Sequence, residues 1–462
     1  MSRVDTATVT AIELETQIPR ANATQHSTAN VSTTDSDAIL QASRLADSTV
    51  PDGGYGWVVI FGCAVVAFWF VGTSYSWGVM QAALVEQGLS SASTLSFVGS
   101  VTTAFISVLA IVNSRVVRAL GARATVMIGI GLVGIGEALA GFATTSVGGL
   151  FVTAGGVMGV GMSLCFITIS VTPAQYFSKK RGLANGIVFA GGGLGGAITS
   201  FAIDGLIHRV GPAWTYRVIG LVTLATGLPA AYLIKERSPI RSATFIEWRL
   251  FLDHRFTTIF LAGAIGTFPL LVPPFFLPLY ALSLNLSSST GAGLVAGFNF
   301  SSAIGRIACG SLCDILGPLN TLFLALSLCG LSMIALWPVS DTLAPLVVFV
   351  VVNGASNGGF FATMPTVVGN VFGSARVAVA MGMIVTGWAG GYLMVYPSFS
   401  SLDQSKPKAR LLVNDFISKG SPDCWILTRR IWRRARRPAS IPPGNLLRWI
   451  YGAGVGRAGG DG

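Results

Sequence analysis

PDGGYGWVVIFGCAVVAFWFVGTSYSWGVM, residues 51–80, opens with an acid and two glycines and then runs from Trp57 to Ala83 without a charged side chain. A run of about 18 or more mostly apolar residues is long enough to cross a bilayer core of roughly 30 Å as a helix. Tyr55 and Trp57 stand where aromatic rings prefer the membrane interface. Asp52 and the paired glycines therefore mark the point where a polar leader meets the membrane.

The composition extends this reading to the whole chain. Charged residues make up 11%, where a soluble domain carries about 25%, and mean hydropathy is +0.67. Such a chain cannot cover itself with a polar surface, so its solvent is largely lipid. The 57 glycines fit close helix approach in a membrane. Cys63, Cys165, Cys309, Cys313 and Cys329 fall inside apolar runs and read as small core residues, not as a disulfide framework. Cys309 and Cys313 share a helical face but lack His or carboxylate neighbours, a poor metal site.

Residues 1–50 are rich in Ser, Thr, Ala and Asp and bury too little to order themselves. The leader lacks the basic and apolar regions of a signal peptide, so the first span is expected to act as its own anchor. Apolar runs follow near 57–83, 93–113, 124–143, 147–172, 183–207, 214–234, 256–283, 290–313, 319–338, 343–366 and 377–396, which predicts eleven spans. Arg115, Arg118 and Arg123, then Lys179, Lys180 and Arg181, then Lys235, Arg237, Arg241, Arg249 and Arg255 load alternate loops. Those loops are expected on the cytoplasmic side together with the N-terminus, and the plasma membrane is the expected compartment. The sequon at Asn285 then falls outside and is a glycosylation candidate, while those at Asn22 and Asn30 stay bare.

The chain repeats itself. LGARATVMIG at Leu120 pairs with LGPLNTLFLA at Leu316, and Phe177, Arg181 and Gly186 pair with Phe372, Arg376 and Gly382, all at offsets of 195 or 196. The expected organisation is an all-α polytopic membrane protein of two six-helix pseudo-repeats. It comprises a leader (1–50), a first bundle (51–234), a hinge loop (235–255), a second bundle (256–396) and a basic tail (397–462). Parallel repeats of this kind place a substrate site between the halves near the bilayer midplane. The template fails at the end: 409–429, where a twelfth span would fall, is ARLLVNDFISKGSPDCWILTR. From Asp403 onward twelve Lys or Arg stand against four Asp. That composition would suit anionic lipid or nucleic acid, but beside a missing span it fits a shifted reading frame or an unspliced intron better.

DGGYGW and YFSKKRGLANGIVFAGGGLGG resemble the two signatures of the monocarboxylate porter family of the major facilitator superfamily, in wording most like its fungal branches. The matches are Asp52, Gly53, Gly54 and Trp57, then Tyr176, Phe177, Arg181, Leu183, Ala184, Gly186, Ala190, Gly191 and Gly195, and the resemblance spans roughly residues 50–395. It implies a major facilitator fold and transport of carboxylates, riboflavin or secondary metabolites. These signature residues are expected to act in conformational coupling. The G-x-G-x-x-G within Gly191–Gly196 lies in an apolar run and is read as helix packing, not as a dinucleotide fingerprint.

The chemistry then rests on a few polar groups inside spans. Arg306, Ser302 and Asn299 share a face of span eight, and Tyr75 of span one joins them as candidate substrate contacts. An arginine within a span usually faces the bundle interior or a wet cavity. The alternative is that Arg306 snorkels and pairs with Asp314. The family resemblance matches Arg306 to the arginine of proton-coupled lactate carriers, but Ser302 stands where their aspartate would be and Val79 where their span-one lysine would be. Glu137 in span three is the candidate for a coupling proton; in this fold span three lies on the periphery, where such a group more often bonds a neighbouring helix. Asp204 and His208 read as a solvated cap. With His26, His208 and His254 outside the spans, no enzyme, cofactor or metal is implied.

The reading is a secondary transporter of the monocarboxylate porter type moving a small organic anion by alternating access, with the bilayer and that substrate as partners and no nucleic acid. Export of a secondary metabolite is the near alternative. A non-transporting sensor or an inactive copy is the alternative of another class. Oligomeric state, cargo and coupling ion are left open.

Overall fold

The computed structural model describes residues 52–237, 247–270 and 272–393, all of whose regular elements are helical. Span one is the helix Gly56–Glu86. Span two is Ala92–Val108 together with the first part of Ala110–Ala140, and span three is the remainder of that helix beyond Gly121. Span four runs through Val147–Gln175. Arg181–Tyr232 holds spans five and six, divided at Gly211. Its 52 residues would extend about 78 Å at 1.5 Å each, enough to cross a core of roughly 30 Å twice. Span eight is Ser288–Leu316, span nine Pro318–Val339, and Leu343–Thr386 holds spans ten and eleven, divided at Gly373.

Four of the reversals turn on a glycine with left-handed φ: Gly121 at 82°, Gly211 at 78°, Gly317 at 89° and Gly373 at 74°. Only glycine takes that conformation without a steric penalty, so a chain with almost no loop residues can still reverse there. Gly121 and Gly317 have ψ of 159° and 146° and are 196 residues apart, so the offset seen in the sequence recurs in the backbone. Other helix starts are capped by Ser91, Ser146, Ser287 and Asp253, whose side chains accept from backbone N–H groups of the first turn.

One expectation needs correction. Span seven is not one helix over 256–283: it consists of His254–Gly266 and Val272–Ser283 with turn residues between them. FPLLVPPFFLP supplies four prolines there, each lacking the N–H that would continue the ladder. Span three keeps an outward face at Ile128, Ile135 and Leu139, and its Glu137, 2% exposed, lies on the side turned to span six. The proposed leader, the tail and the stretch where a twelfth span would fall lie outside the described residues.

Large apolar side chains such as Phe61, Phe201, Leu221 and Ile304 point outward, as a lipid-facing surface requires. The interior contacts are of the opposite kind, with backbone against backbone. On span five, a Cβ at Gly191 would lie 2.1 Å from the Ala64 carbonyl oxygen, and one at Gly195 would lie 2.0 Å from that of Phe68, both on span one. Gly193 and Gly196 turn toward span eight, where a Cβ would meet the Ala303 nitrogen at 2.7 Å and the Asn299 amide at 2.6 Å. The GGGLGG run is therefore the place where span five crosses two helices, one from each half.

Replacing Gly195 by Ala must push spans one and five apart. Overpacking of this kind costs roughly 1–3 kcal/mol, so the variant is expected to lose folded yield on fluorescence-detected gel filtration and to melt lower. Gly131→Ala, where nothing lies within 4 Å, is expected to melt no lower than the parent.

Candidate functional site

The two halves meet around a cavity of about 30 Å³ lined by Val71, Ser74, Tyr75, Phe189, Arg306 and Phe361, among others. One water needs about 10–15 Å³ of such space, so with the halves closed the cavity admits nothing larger than a few waters. Arg306 reaches it from span eight and is 0% exposed. Its Nη1 donates to the Phe189 carbonyl of span five, and its Nε has no hydrogen-bond partner among the described residues. The guanidinium carbon sits 5.5 Å from the Tyr75 ring centroid and 5.6 Å from that of Phe361. A Cβ at Gly192 would lie 2.9 Å from Nη1, so the second glycine of the run is what leaves room for the guanidinium.

Arg306 has no carboxylate partner among the described residues, and Asp314, its mate in the alternative reading, is engaged elsewhere. Asp314 accepts from the backbone N–H groups of Gly182 and Leu183, both at 2.9 Å, at the start of span five. A buried cation costs several kcal/mol of desolvation, and each aromatic face returns on the order of 2 kcal/mol or less. The site thus carries an uncompensated positive charge, which an anion would balance.

Of the other candidate contacts, only Tyr75 is beside Arg306. Its hydroxyl donates to Asn357 Oδ1 of span ten at 3.3 Å, and Asn357 Nδ2 donates to the Leu270 carbonyl at the break in span seven at 2.6 Å. Asn299 and Ser302 do not line the cavity. Both are fully buried, the Asn299 amide against Gly196 and Ser302 against Gly358 of span ten. They share the helical face of Arg306, but Asn299 is two turns, about 10 Å, farther along the axis. Gly192, Phe189 and Phe361 were not singled out from the sequence. Phe361 lies in an uncharged apolar span that offers no signal, whereas Gly192 sat unassigned in a run already noted.

Asp52, Gly53, Gly54, Trp57, Tyr176, Phe177 and Arg181 of the signatures gather on the face where span one begins, whereas Gly186, Gly191 and Gly195 lie farther along span five. Asp52, itself at φ 50°, accepts from the backbone N–H groups of Ser178 at 2.7 Å and Lys179 at 2.9 Å. Gly54 has φ 63°, and next to Gly53 it turns the chain into span one. Trp57 packs edge-on against Phe177 at 4.7 Å, and the Tyr176 hydroxyl donates to the Lys235 carbonyl at 2.7 Å. Arg181 crosses to the other half, donating from Nη1 to Gly369 O at 3.0 Å and Asn370 Oδ1 at 3.2 Å. Gly186 rests on the Arg306 carbonyl, and Gly382 rests likewise on that of Ala110, again 196 residues away. Glu247 stands 195 residues after Asp52 and pairs with Arg376 at 3.7 Å, a correspondence not read from the sequence.

On the opposite face, a Cβ at Gly78 of span one would lie 2.6 Å from the Pro274 carbonyl oxygen of span seven. Asp204 is more than a cap for its own helix there, because Ser289 from the start of span eight donates to it at 3.1 Å, beside His208 at 3.6 Å. The halves are thus in contact on both faces. Asn285 is exposed on the loop before span eight, at φ 58°. Cys309 and Cys313 are free thiols, and among the described residues no three His, Cys, Asp or Glu side chains come together as a metal site.

Replacing Asp314 by Ala removes two charge-assisted hydrogen bonds, each worth about 1.5–3 kcal/mol. The Gly182 and Leu183 amides are expected to exchange hydrogen at least roughly tenfold faster, with Asp52→Ala leaving those two positions unchanged.

Residues 57–396 match the Major Facilitator Superfamily. The aspyridones efflux protein apdF of Emericella nidulans is 30% identical over 342 residues, covering 72% of this chain and 70% of its own. The agnestins efflux protein AgnL12 of Paecilomyces divaricatus is 28% identical over 344 residues, covering 71% and 76%. Among solved structures, the human organic anion transporter MFSD10 superposes with a TM-score of 0.58 at 13% identity, over 76% of this chain and 94% of its own. That last likeness concerns the fold.

Proposed function

The chain belongs to the Major Facilitator Superfamily, and on that premise we propose that it is an efflux transporter of the monocarboxylate porter type, carrying an organic anion out of the cell by alternating access with Arg306 as the anion anchor. The observation that carries this is the guanidinium buried between the halves with no carboxylate beside it among the described residues. The rest of the cavity is largely aromatic, with Phe70, Tyr75, Phe166, Phe189, Phe361 and Tyr392 in its wall. Such a wall suits a flat, largely apolar skeleton bearing one negative group, with Arg306 taking the charge and the rings the body.

Export is favoured over proton-coupled import for two reasons. The relatives named above are efflux proteins by description. The two charged positions that the lactate carriers of the family use beside their arginine are Ser302 and Val79 here. An anion leaving a cell that is negative inside also moves down the electrical gradient, by about 2.3 kcal/mol per 100 mV. In this reading the protein resides in the plasma membrane with Asp52 on the cytoplasmic face. Asp314 and Arg181 then hold the inner side closed, and Asn285 is presented outside for glycosylation.

Naphthoate and its neutral amide, naphthamide, test the anchor. Naphthoate is expected to raise the melting temperature of the purified chain more than naphthamide does. Arg306→Gln is expected to abolish the difference, and Arg306→Lys to restore part of it. Equal stabilisation by both compounds, or a difference that survives in Arg306→Gln, removes Arg306 from the binding role. If neither compound binds and inverted membrane vesicles accumulate no naphthoate, the non-transporting reading takes its place.

A further inference from the structure

A second cavity, of about 20 Å³, lies against a different face of span one, bounded by Thr73, Trp77, Glu137, Met158, Ile203 and Tyr216 among others. Thr73, Ser76, Trp77 and Met80 of span one line it at helical spacing, whereas Val71, Ser74 and Tyr75 line the Arg306 cavity. Glu137 enters from span three, and Thr223 of span six donates to its Oε2 at 3.0 Å. Tyr216, also on span six, is the other ionisable group in the wall, and its hydroxyl is buried with no hydrogen-bond partner. Spans one, four and five bring no ionisable side chain to this cavity among the described residues.

An ionised carboxyl in such a place has hydroxyl donors but no counter-charge, a costly arrangement inside a membrane. The volume admits about one water, and Glu137 is the one carboxylic acid in the wall among the described residues. The species that fits and neutralises it is a proton. We propose that Glu137 is a reversible proton-binding site, positioned by Thr223 with the Tyr216 and Thr73 hydroxyls in the same cavity wall, which couples a pH gradient to the movement of span one.

The proton comes from solvent and returns to it, and no covalent bond beyond the carboxyl O–H is made or broken. With the proton absent, the carboxylate is an acceptor only and draws the idle Tyr216 hydroxyl, together with that of Thr73, which now donates to the Trp69 carbonyl at 2.8 Å. With the proton present, those donors are released. The same helix carries Gly78, whose contact with Pro274 and Phe275 of span seven closes the face opposite Asp52. Occupancy of Glu137 therefore acts on the helix that lines the anion cavity and holds that closure. The coupling rests on the efflux reading, whereas the proton site itself does not.

The test begins without substrate. The infrared difference spectrum of the full chain in nanodiscs, between mildly acidic and alkaline buffer, is expected to contain a protonated-carboxyl band. That band should be lost in Glu137→Gln, shifted in Thr223→Val and retained in Arg306→Gln. Wild-type and Glu137→Gln spectra that coincide overturn the proton site. In proteoliposomes, Glu137→Gln is expected to retain naphthoate exchange at equilibrium and to lose accumulation driven by a pH gradient. Gradient-driven accumulation equal to wild type overturns the coupling. If the wild type carries no naphthoate, the efflux reading fails and the infrared band alone decides the proton site.

Discussion

Arg306 sits at the seam between two helical bundles with one carbonyl and two aromatic faces around it and, among the described residues, no carboxylate. A charge so placed is tolerated only if the rest of the fold holds it there, and the surroundings do so at several levels. Gly192 removes the side chain that would collide with the guanidinium. The Tyr75 hydroxyl is tied through Asn357 to the break in span seven, which fixes the ring beneath the guanidinium. The remaining glycines of the same run bring spans one, five and eight together at backbone distance. Packing and charge are thus two aspects of one crossing: the glycines that allow the helices to meet also create the pocket in which the cation has no counter-charge among the described residues.

A seam that must open cannot be knitted by long interdigitating side chains. Span five meets span eight through Gly182, Gly186, Gly193 and Gly196, a smooth surface that one half can roll across. Closure is assigned instead to a few directional contacts near the two faces. Asp314 and Arg181 bridge the halves on one side, and Ser289 with Asp204 and the Gly78 crossing bridge them on the other. Each set is small enough to break while the other holds, which is what rocking of one bundle against the other demands. Asp52 and Glu247, 195 residues apart, secure equivalent corners of the two halves.

Hydropathy and the loop charges made the spans legible, because a lipid solvent leaves little choice of structure for a long apolar run. The repeat offset was legible for the same chain, and Gly121 and Gly317 repeat it in their dihedrals. Arg306 stood out because a charge inside a span is rare. The cavity wall was less legible. A helical wheel places Asn299 and Ser302 on the Arg306 face but says nothing of height along the axis, and both end in helix contacts above the cavity. Phe361 and Asn357 come from another span of the same half and carry no charge, so nothing in span ten marked them. The environment of Glu137 depends on how five helices pack, which a single-span pattern does not encode. The division of span seven was written in its prolines but was masked by unbroken hydropathy.

The central claim is that an anion completes the Arg306 site. A cryo-electron microscopy structure with bound bromonaphthoate tests it most directly. The account predicts carboxylate density within hydrogen-bonding distance of the Arg306 guanidinium, in a cavity enlarged by separation of spans one and eight. Ligand density elsewhere, with Arg306 still bonded to the Phe189 carbonyl alone, would contradict it.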